Sequence, residues 1–497
     1  MINPFVFIAL PMGMAFLIAL IGHQYKKSPD FLANLTMGIL FILSAICYGK
    51  STIYYIGNWS PSIGIPLVLD GLSGLMLIII NFIGFMSAIF SIQYIEKFYT
   101  SKLRYYGLFL LTIAGLNGIV LSGDIFSIYV FLELASISSY ALVGFGCGAE
   151  ELEAAFKYLI MGTIASFFIL LGIALLYGAT GNLNLAAIAN VVQSQGFSDP
   201  IKIAFIFLIS GFFIKAASIP FHSWLPDAHS SAPSSISAIL SGIVVKITGI
   251  YCIIRLVYNV FGATVLISHI LLYIGLISII LAGIMAFMQT NIKRTFAYST
   301  ISQLGYVFFA LGIGTPLAIF GAMFQLFNHA IFKPLLFLNS GSVDYQTGEK
   351  VINKMGKLNE KMPVTSTSTL IGSLSISGIP PFNGFWSKLI IIIAAVQANL
   401  IGPAIWAIIG SILTLSYYSK VLKCCFFGKG AQFNEEKWKS FREVPGLMLI
   451  PVITLAFMCI IGGIFIIHGY NGFFGRPVKD IINGPLWYIQ SVFGSYK

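Results

Sequence analysis

Charge is what this sequence has least of. Only 9% of its 497 residues are charged, against about 25% in a soluble globular domain, and no stretch is polar for long enough to build a large soluble domain. Cysteine is scarce and unpatterned. Three of the six, Cys47, Cys252 and Cys459, sit inside apolar runs and Cys424 adjoins Cys425, which matches neither a disulfide framework nor a metal-ligand spacing, so they read as core residues. The first 22 residues lack a basic start and a small-residue cleavage site. They read as a retained first span, or an uncleaved signal anchor, and not as a removed leader.

What is present is apolar. Hydrophobic residues make up 58% of the chain and the mean hydropathy is +0.91. Apolar runs of about 20 residues, the length that crosses a bilayer, recur near 3–22, 31–49, 67–95, 105–122, 124–147, 154–179, 201–224, 230–258, 263–288, 293–313, 315–343, 364–398, 402–425 and 446–470. The expected fold is therefore an all-α polytopic membrane protein of about 14 transmembrane helices.

The net charge of +11 raises the question of nucleic acid, and the positions of the basic residues answer it. They fall in alternate loops: Lys26 and Lys27; Lys97, Lys102 and Arg104; Lys293 and Arg294; Lys350, Lys354, Lys357 and Lys361; and the group from Lys420 to Arg442. Such asymmetry marks the cytoplasmic side. Both termini are expected outside the cytoplasm, and the charge is topogenic.

Two pairs of segments look alike. AAFKYLIMG, with Lys157, matches AIFKPLLFLNSG, with Lys333, and ASIPFHSWL, around Pro220, matches SGIPPFNGFWSKL, around Pro380 and Pro381. Each pair lies five spans apart, as two inverted copies of a five-helix unit would be; chance resemblance of proline-interrupted helices is the alternative. The division that follows is a three-helix segment at 1–104, repeats at 105–258 and 259–430, and a final helix with its tail at 431–497. Proline removes a helical hydrogen bond and clashes with the preceding turn, so Pro220 and the Pro380–Pro381 pair should break their spans. Broken membrane helices are tolerated where they line a cavity.

Outside the loops, the basic residues deep in the spans are Lys157, Lys215, Lys246, Lys333 and Lys388, and the one mid-span acid is Glu133. A charge there costs about 2.5–3.5 kcal/mol, so such groups face a protein interior or an ion path. Ser136 and Tyr140 share the helical face of Glu133. Desolvation disfavours a charged amine and a nearby carboxylate restores it; a Lys215 whose partner Glu133 approaches and withdraws would bind and release a proton on cue. Ion pairs that merely lock helices are the alternative. His329 and Lys333, four apart, share a helix face and suit a relay, since histidine titrates near neutrality. His222, Asp227 and His229 form either a metal site or, as the sequence favours, a hydrated loop in which Asp227 caps the next helix.

The segments FLELASISSYALVGF, KAASIPFHSWLPDAHSSAPSSISAILSGIVVKITGIY, NIKRTFAYSTISQLGY, FNHAIFKPLLF and SGIPPFNGFWSK carry a resemblance that covers nearly the whole chain. The protein resembles the antiporter-like membrane subunits shared by respiratory complex I, multisubunit sodium/proton antiporters of the Mrp type and membrane-bound hydrogenases. The resemblance implies fourteen core helices, inverted five-helix repeats, broken helices 7 and 12, and a mid-membrane line formed by Glu133, Lys215, Lys246, His329, Lys333 and Lys388, with Lys157 matching less closely. It implies translocation of protons, or of sodium and protons, within a multisubunit complex of a prokaryotic cell membrane. Lys388, where one complex I subunit has glutamate, and the short end after span 14 favour an Mrp or hydrogenase subunit over a complex I one. No motif for iron–sulfur clusters, flavin, nickel or nucleotide occurs, so no cofactor is expected here and redox chemistry would belong to partner subunits. A stand-alone secondary transporter, a metal-dependent intramembrane enzyme and a purely structural subunit remain the rival readings.

Overall fold

The computed structural model describes every residue except 1, 23–26, 60–63, 100, 468, 470, 471 and 495–497; Lys26, expected in the first basic loop, lies outside the described residues. Helices dominate. The chain opens with α1 (Val6–Ile21) and α2 (Ser28–Cys47), then a two-stranded hairpin, β1 (Thr52–Tyr55) and β2 (Pro66–Leu69). Helices α3 (Gly71–Phe98), α4 (Lys102–Leu121), α5 (Ile125–Val143), α6 (Ala149–Thr180), the short α7 (Leu185–Gln195) and α8 (Asp199–Lys215) follow.

Next come α9 (Trp224–Ser231), α10 (Ser234–Phe261), α11 (Val265–Met288), α12 (Ile292–Ile313), α13 (Pro316–Thr347), α14 (Pro363–Ser377) and α15 (Asn383–Gln397). The chain ends with α16 (Ile401–Phe427), α17 (Gly446–Ile466), α18 (Gly475–Ile482) and α19 (Gly484–Phe493).

Among the described residues, ten helices are long and apolar enough to cross a membrane. Side chains such as Leu20, Phe167 and Met288 stand outward at 78%, 67% and 72% exposure. In water that many outward apolar groups would drive association, whereas in lipid they meet their natural solvent. Helix α10 is the opposite case, buried along its whole length, and nearly every residue of α13 is buried too. These two helices form the axis of the bundle.

Both expected breaks occur. Helix α8 stops at Lys215, Ala217 takes a left-handed φ of 50°, the Ile219–Pro220 bond is cis, and the helix resumes at Trp224. Helix α14 stops at Ser377, Gly378 takes φ 83°, the Pro380–Pro381 bond is cis, and the helix resumes at Asn383. At Gly378 the absence of a side chain is needed as well, because a Cβ there would meet the Lys388 chain at 3.1 Å.

Three features were not anticipated. The amphipathic α7 occupies what reads as a loop, α18 and α19 fold back after the last span, and α10 is wound as a π-helix over Leu240–Val244, Lys246–Tyr251 and Arg255–Phe261. Extended π winding is rare in proteins and concentrates at functional sites.

Candidate ion path

The path starts where α8 breaks. The Lys215 ammonium, at the last residue of α8, donates to Ser136 Oγ at 2.9 Å and Tyr140 OH at 3.3 Å, both on α5. Ser136 and Tyr140 stand one and two turns beyond Glu133, as the helical spacing predicts. Glu133 is half-buried and accepts a hydrogen bond from Ser166 on α6. Glu133 and Lys215 are within electrostatic reach, yet no direct ion pair joins them.

The middle of the path sits on α10. Lys246, fully buried, donates to the carbonyls of Ser241 and Gly242 at 2.6 and 2.5 Å. Those oxygens belong to its own helix, four and five residues back. Ser241 in turn hydrogen-bonds Thr300 of α12 at 2.8 Å, and Thr300 donates to Phe296 O at 3.1 Å. The same carbonyl accepts from Lys333 Nζ at 2.7 Å, so Ser241, bonded to Lys246 by its carbonyl and to Thr300 by its hydroxyl, and Thr300 stand between two lysines on different helices. His329 is buried with both ring nitrogens unpartnered among the described residues, and it lies within electrostatic reach of Lys246 and Lys333.

From Lys333 a series of hydroxyls and amides leads toward Lys388. Lys333 donates to Tyr418 OH at 3.2 Å, Tyr418 shares a bond with Ser299 at 3.1 Å, and Tyr417 OH donates to Ser299 at 2.9 Å. Gln303 donates to Thr414 Oγ1 at 3.1 Å, on the same helix as Tyr417. Gln325 donates to Gln303 Oε1 at 3.1 Å, and Ser387, the residue before Lys388, donates to Gln325 Oε1 at 2.6 Å.

Lys388, next in sequence to Ser387, bonds a different set of groups. Its ammonium donates to Ile376 O at 2.8 Å and stands 4.8 Å over the Tyr306 ring. Gly378 N caps Leu374 O and Ser375 O, and the amine from α15 bonds Ile376 O and Ser377 O beyond them, at the negative end of the helix dipole.

Several sequence expectations fail here. Lys157 is not a deep intramembrane charge: its side chain is 47% exposed and bridges Glu153 at 2.7 Å and Asp227 at 2.9 Å. Helix α6 begins at Ala149, which leaves Lys157 only two turns from its start. Asp227 does not cap a helix. It lies within α9 and pairs with Lys157 and Arg294. The segment from His222 to His229 is not an open hydrated loop, for His229 is wholly buried and stacks on Phe337 at 4.7 Å. The described residues contain no group of three His, Cys, Asp or Glu side chains able to hold a metal. Lys293, assigned to a basic loop, is buried at the start of α12 and donates to Ala232 O at 3.0 Å.

Sequence reasoning also missed the buried pair of Arg255 and Asp70. Two parallel bonds, Arg255 Nη1 to Asp70 Oδ2 at 2.7 Å and Nη2 to Oδ1 at 3.1 Å, join α10 to the N-cap of α3. Both residues lie near predicted span ends, where charge ordinarily reports topology. Asp70 sits four residues past Pro66 in PLVLDGLSG, an N-cap signature with Ser73 completing a capping box, and that was the available signal.

The geometry defines a multi-pass helical membrane protein with Lys215, Lys246, His329, Lys333 and Lys388 buried inside it. The family described as NADH:quinone oxidoreductase/Mrp antiporter, TM matches residues 122–416, and that described as NADH-Ubiquinone oxidoreductase (complex I), chain 5 N-terminus matches residues 56–106. The chain is 33% identical over 446 residues to NADH-quinone oxidoreductase subunit N of Desulforudis audaxviator, covering 87% of this chain and 89% of that protein. It is 32% identical over 453 residues to a Na(+)/H(+) antiporter subunit of Alkalihalophilus pseudofirmus, covering 89% of this chain and 88% of that protein.

Among solved structures, a chain of the membrane-bound sulfane sulfur reductase, an archaeal respiratory membrane complex, superposes with a TM-score of 0.91 at 30% identity, with 99% of each chain covered. A chain of the Mrp complex from Dietzia sp. DQ12-45-1b has the same fold, with a TM-score of 0.91 and 99% coverage of each chain at 24% identity. The protein belongs to the NADH:quinone oxidoreductase/Mrp antiporter family.

Proposed function

We propose that this chain is a proton-translocating, antiporter-like subunit of a multisubunit complex in a prokaryotic cell membrane, with both termini outside the cytoplasm. The observation that carries the reading is the set of buried polar groups between the three lysines: Ser241 and Thr300 between Lys246 and Lys333, and Tyr418, Ser299, Tyr417, Gln303, Gln325 and Ser387 between Lys333 and Lys388. The hydroxyls among them both donate and accept and can pass a proton by successive exchange, and water would carry it past the backbone carbonyls, which only accept. A structural set of ion pairs would instead match each lysine with a carboxylate, and among the described residues neither Lys246, Lys333 nor Lys388 has an acidic partner within 4 Å.

In this reading Glu133 and Lys215 gate one end, Lys246, His329 and Lys333 relay, and Lys388 exchanges at the other. Fourteen crossings result if α1, α13 and the two broken pairs, α8 with α9 and α14 with α15, join the ten long apolar helices. The two breaks, each with one left-handed residue before its proline, support inverted repeats at 105–258 and 259–430, between a three-helix segment at 1–104 and the tail at 431–497. Relatives that are named as subunits of a sodium/proton antiporter and of NADH-quinone oxidoreductase support membrane partners of the same kind, and a redox module is a further partner class. Sodium as a second transported ion remains part of the proposal. No cofactor is assigned to this chain.

The test is proton flux through the whole complex in vesicles, followed with a pH-sensitive dye. Lys333→Ala is expected to lower flux about 100-fold while the complex still assembles; unchanged flux in an assembled variant would remove the relay.

A further inference from the structure

At the end of the bundle opposite the basic loops, cations are few and unevenly placed. The described ones are Lys50, Lys202, Arg255, Arg476 and Lys479. Arg255 pairs with Asp70 at 2.7 Å and Lys202 with Asp199 at 2.9 Å. The other three have no carboxylate within 4 Å among the described residues, and they gather at one place.

Arg476 and Lys479, both exposed on α18, line a hollow of about 360 Å³ together with Tyr48, Gly49 and Phe473, and Lys50 follows Gly49 in the chain. Asp480, the acid beside Lys479, is turned inward onto Gly71 N at 2.6 Å, which leaves these cations uncompensated. The Tyr48 and Phe473 rings stack with centroids 4.7 Å apart, the Tyr48 hydroxyl donates to Phe473 O, and Phe473 packs on Phe465 of α17 at 4.9 Å. The hollow therefore lies where the ends of α2 and α17 meet α18.

Outward apolar surface stops at this level. Ile46 of α2 and Ile464 of α17 still face outward at 48% and 61% exposure, and Lys50 stands one turn's length of chain beyond Ile46. Arginine and lysine at the rim of an apolar belt are placed to meet anionic headgroups.

An apolar strip starts beneath the hollow. A Cβ at Gly74, in the first turn of α3, would stand 3.7 Å from the Tyr48 ring. From there, every residue of α3 as far as Ser91 is buried except Ile78, Phe82, Phe85 and Ile89, whose four- and three-residue spacing puts them on one face. Phe41 of α2 walls this strip, with ring centroids 5.3 Å from Phe82 and 6.5 Å from Phe85. From Ile78 to Ile89 the strip rises about 16 Å, the depth of one leaflet of a hydrocarbon core of about 30 Å.

We propose that the hollow binds the headgroup of an anionic phospholipid, with its phosphate held by Arg476 and Lys479 and one acyl chain lying along the strip of α3. The unpaired cations select an anion, and the strip selects an anion that carries a chain. A free phosphate or an acidic segment of a partner subunit would use the cations and leave the strip unfilled.

The test uses the whole complex in nanodiscs of phosphatidylcholine containing a trace of phosphatidylglycerol with a photoreactive group on one acyl chain, and phosphatidylcholine with the same group is the control. After illumination, labelled peptides are mapped by mass spectrometry. The phosphatidylglycerol probe is expected to label the segment from Ile78 to Ile89 about tenfold more than the control does. Each cation beside an anionic headgroup is worth about fivefold in affinity, so Arg476→Gln combined with Lys479→Gln should lower the labelling about twentyfold. Arg476→Lys, which keeps the charge, should stay within about twofold of the parent. If the double variant does not assemble, Lys479→Gln alone should lose about fivefold. Equal labelling by the two probes, or labelling unchanged by the glutamine substitutions in an assembled complex, would overturn the proposal. So would labelling abolished by millimolar inorganic phosphate, which would make this a free-phosphate site, and so would a strip that neither probe labels, which would place a partner subunit over it.

Discussion

Lys215 and Glu133 lie within electrostatic reach of each other and do not touch. The ammonium rests on Ser136 and Tyr140, and the carboxylate is held by Ser166 on the neighbouring helix. Under the proposed function, opposite charges held apart by separate anchors are one of the two positions of a switch. If the cycle needs both, Ser166→Ala loosens the separated position and biases the pair toward contact. Proton flux should then fall severalfold in an assembled complex, whereas Glu133→Ala or Lys215→Ala should abolish it. Full flux in either of the latter two variants would end the gating role.

The Tyr418 hydroxyl links Lys333 to Ser299. Tyr418→Phe keeps the ring, which packs on Phe296 with centroids 5.6 Å apart, and removes only the oxygen. Flux is expected to drop about tenfold with unchanged thermal stability of the complex. If flux is unaffected, the proton passes Lys333 by another route.

How much of this was legible depends on how rare each signal is. A lysine in an apolar run is rare and costly, so Lys215, Lys246, Lys333 and Lys388 stood out, and all four are buried. Proline in a span is equally visible, and both breaks formed. Tyr417, Tyr418, Gln303 and Gln325 were invisible because neutral polar residues are common in membrane helices; only their convergence from α12, α13 and α16 makes them a series. Lys157 misled because sequence fixes a residue's depth only as well as it fixes the helix start, and α6 begins five residues before the predicted span. The direction of a side chain is a tertiary fact: Lys293 reads as a loop charge until α9 and α10 pack over it.

Lys388→Arg separates charge from titration. A guanidinium can still donate to Ile376 O, but arginine does not release its proton in proteins. Assembly should be normal and flux should fall about tenfold or more, while Lys388→Ala should lose flux and also stability, because the end of α14 is left unsatisfied. Parental flux in the arginine variant would show that Lys388 only caps a helix.

Arg255 and Asp70 are buried to 2% and 5% side-chain exposure, and Arg255 also contacts Tyr251, Asn259 and the Tyr488 ring. Removing one partner strands the other charge, at a cost of about 3–5 kcal/mol. Asp70→Ala should therefore lower the melting temperature of the purified complex sharply, and replacing both residues by apolar ones of similar volume should recover much of the loss. A stable Asp70→Ala protein would mean that Asp480, the next carboxylate, has taken its place.

Asp480 gives the outer end of this cluster a pH dependence. Its carboxylate accepts from Gly71 N at 2.6 Å at the start of α3. Burial, and then the negative charge of Asp70, push its pKa up to about 7, from about 3.9 in an unstructured chain. A docked α18 therefore binds a proton that the undocked helix has released, and stability falls as pH rises through the interval between those values, levelling off above about 7. Asp480→Asn keeps an oxygen for Gly71 and cannot ionise. Melting curves of the two proteins should nearly coincide at low pH, and the asparagine variant should melt higher at pH 8. A difference that stays constant from pH 5 to pH 8 would mean that Asp480 does not change its protonation when α18 docks.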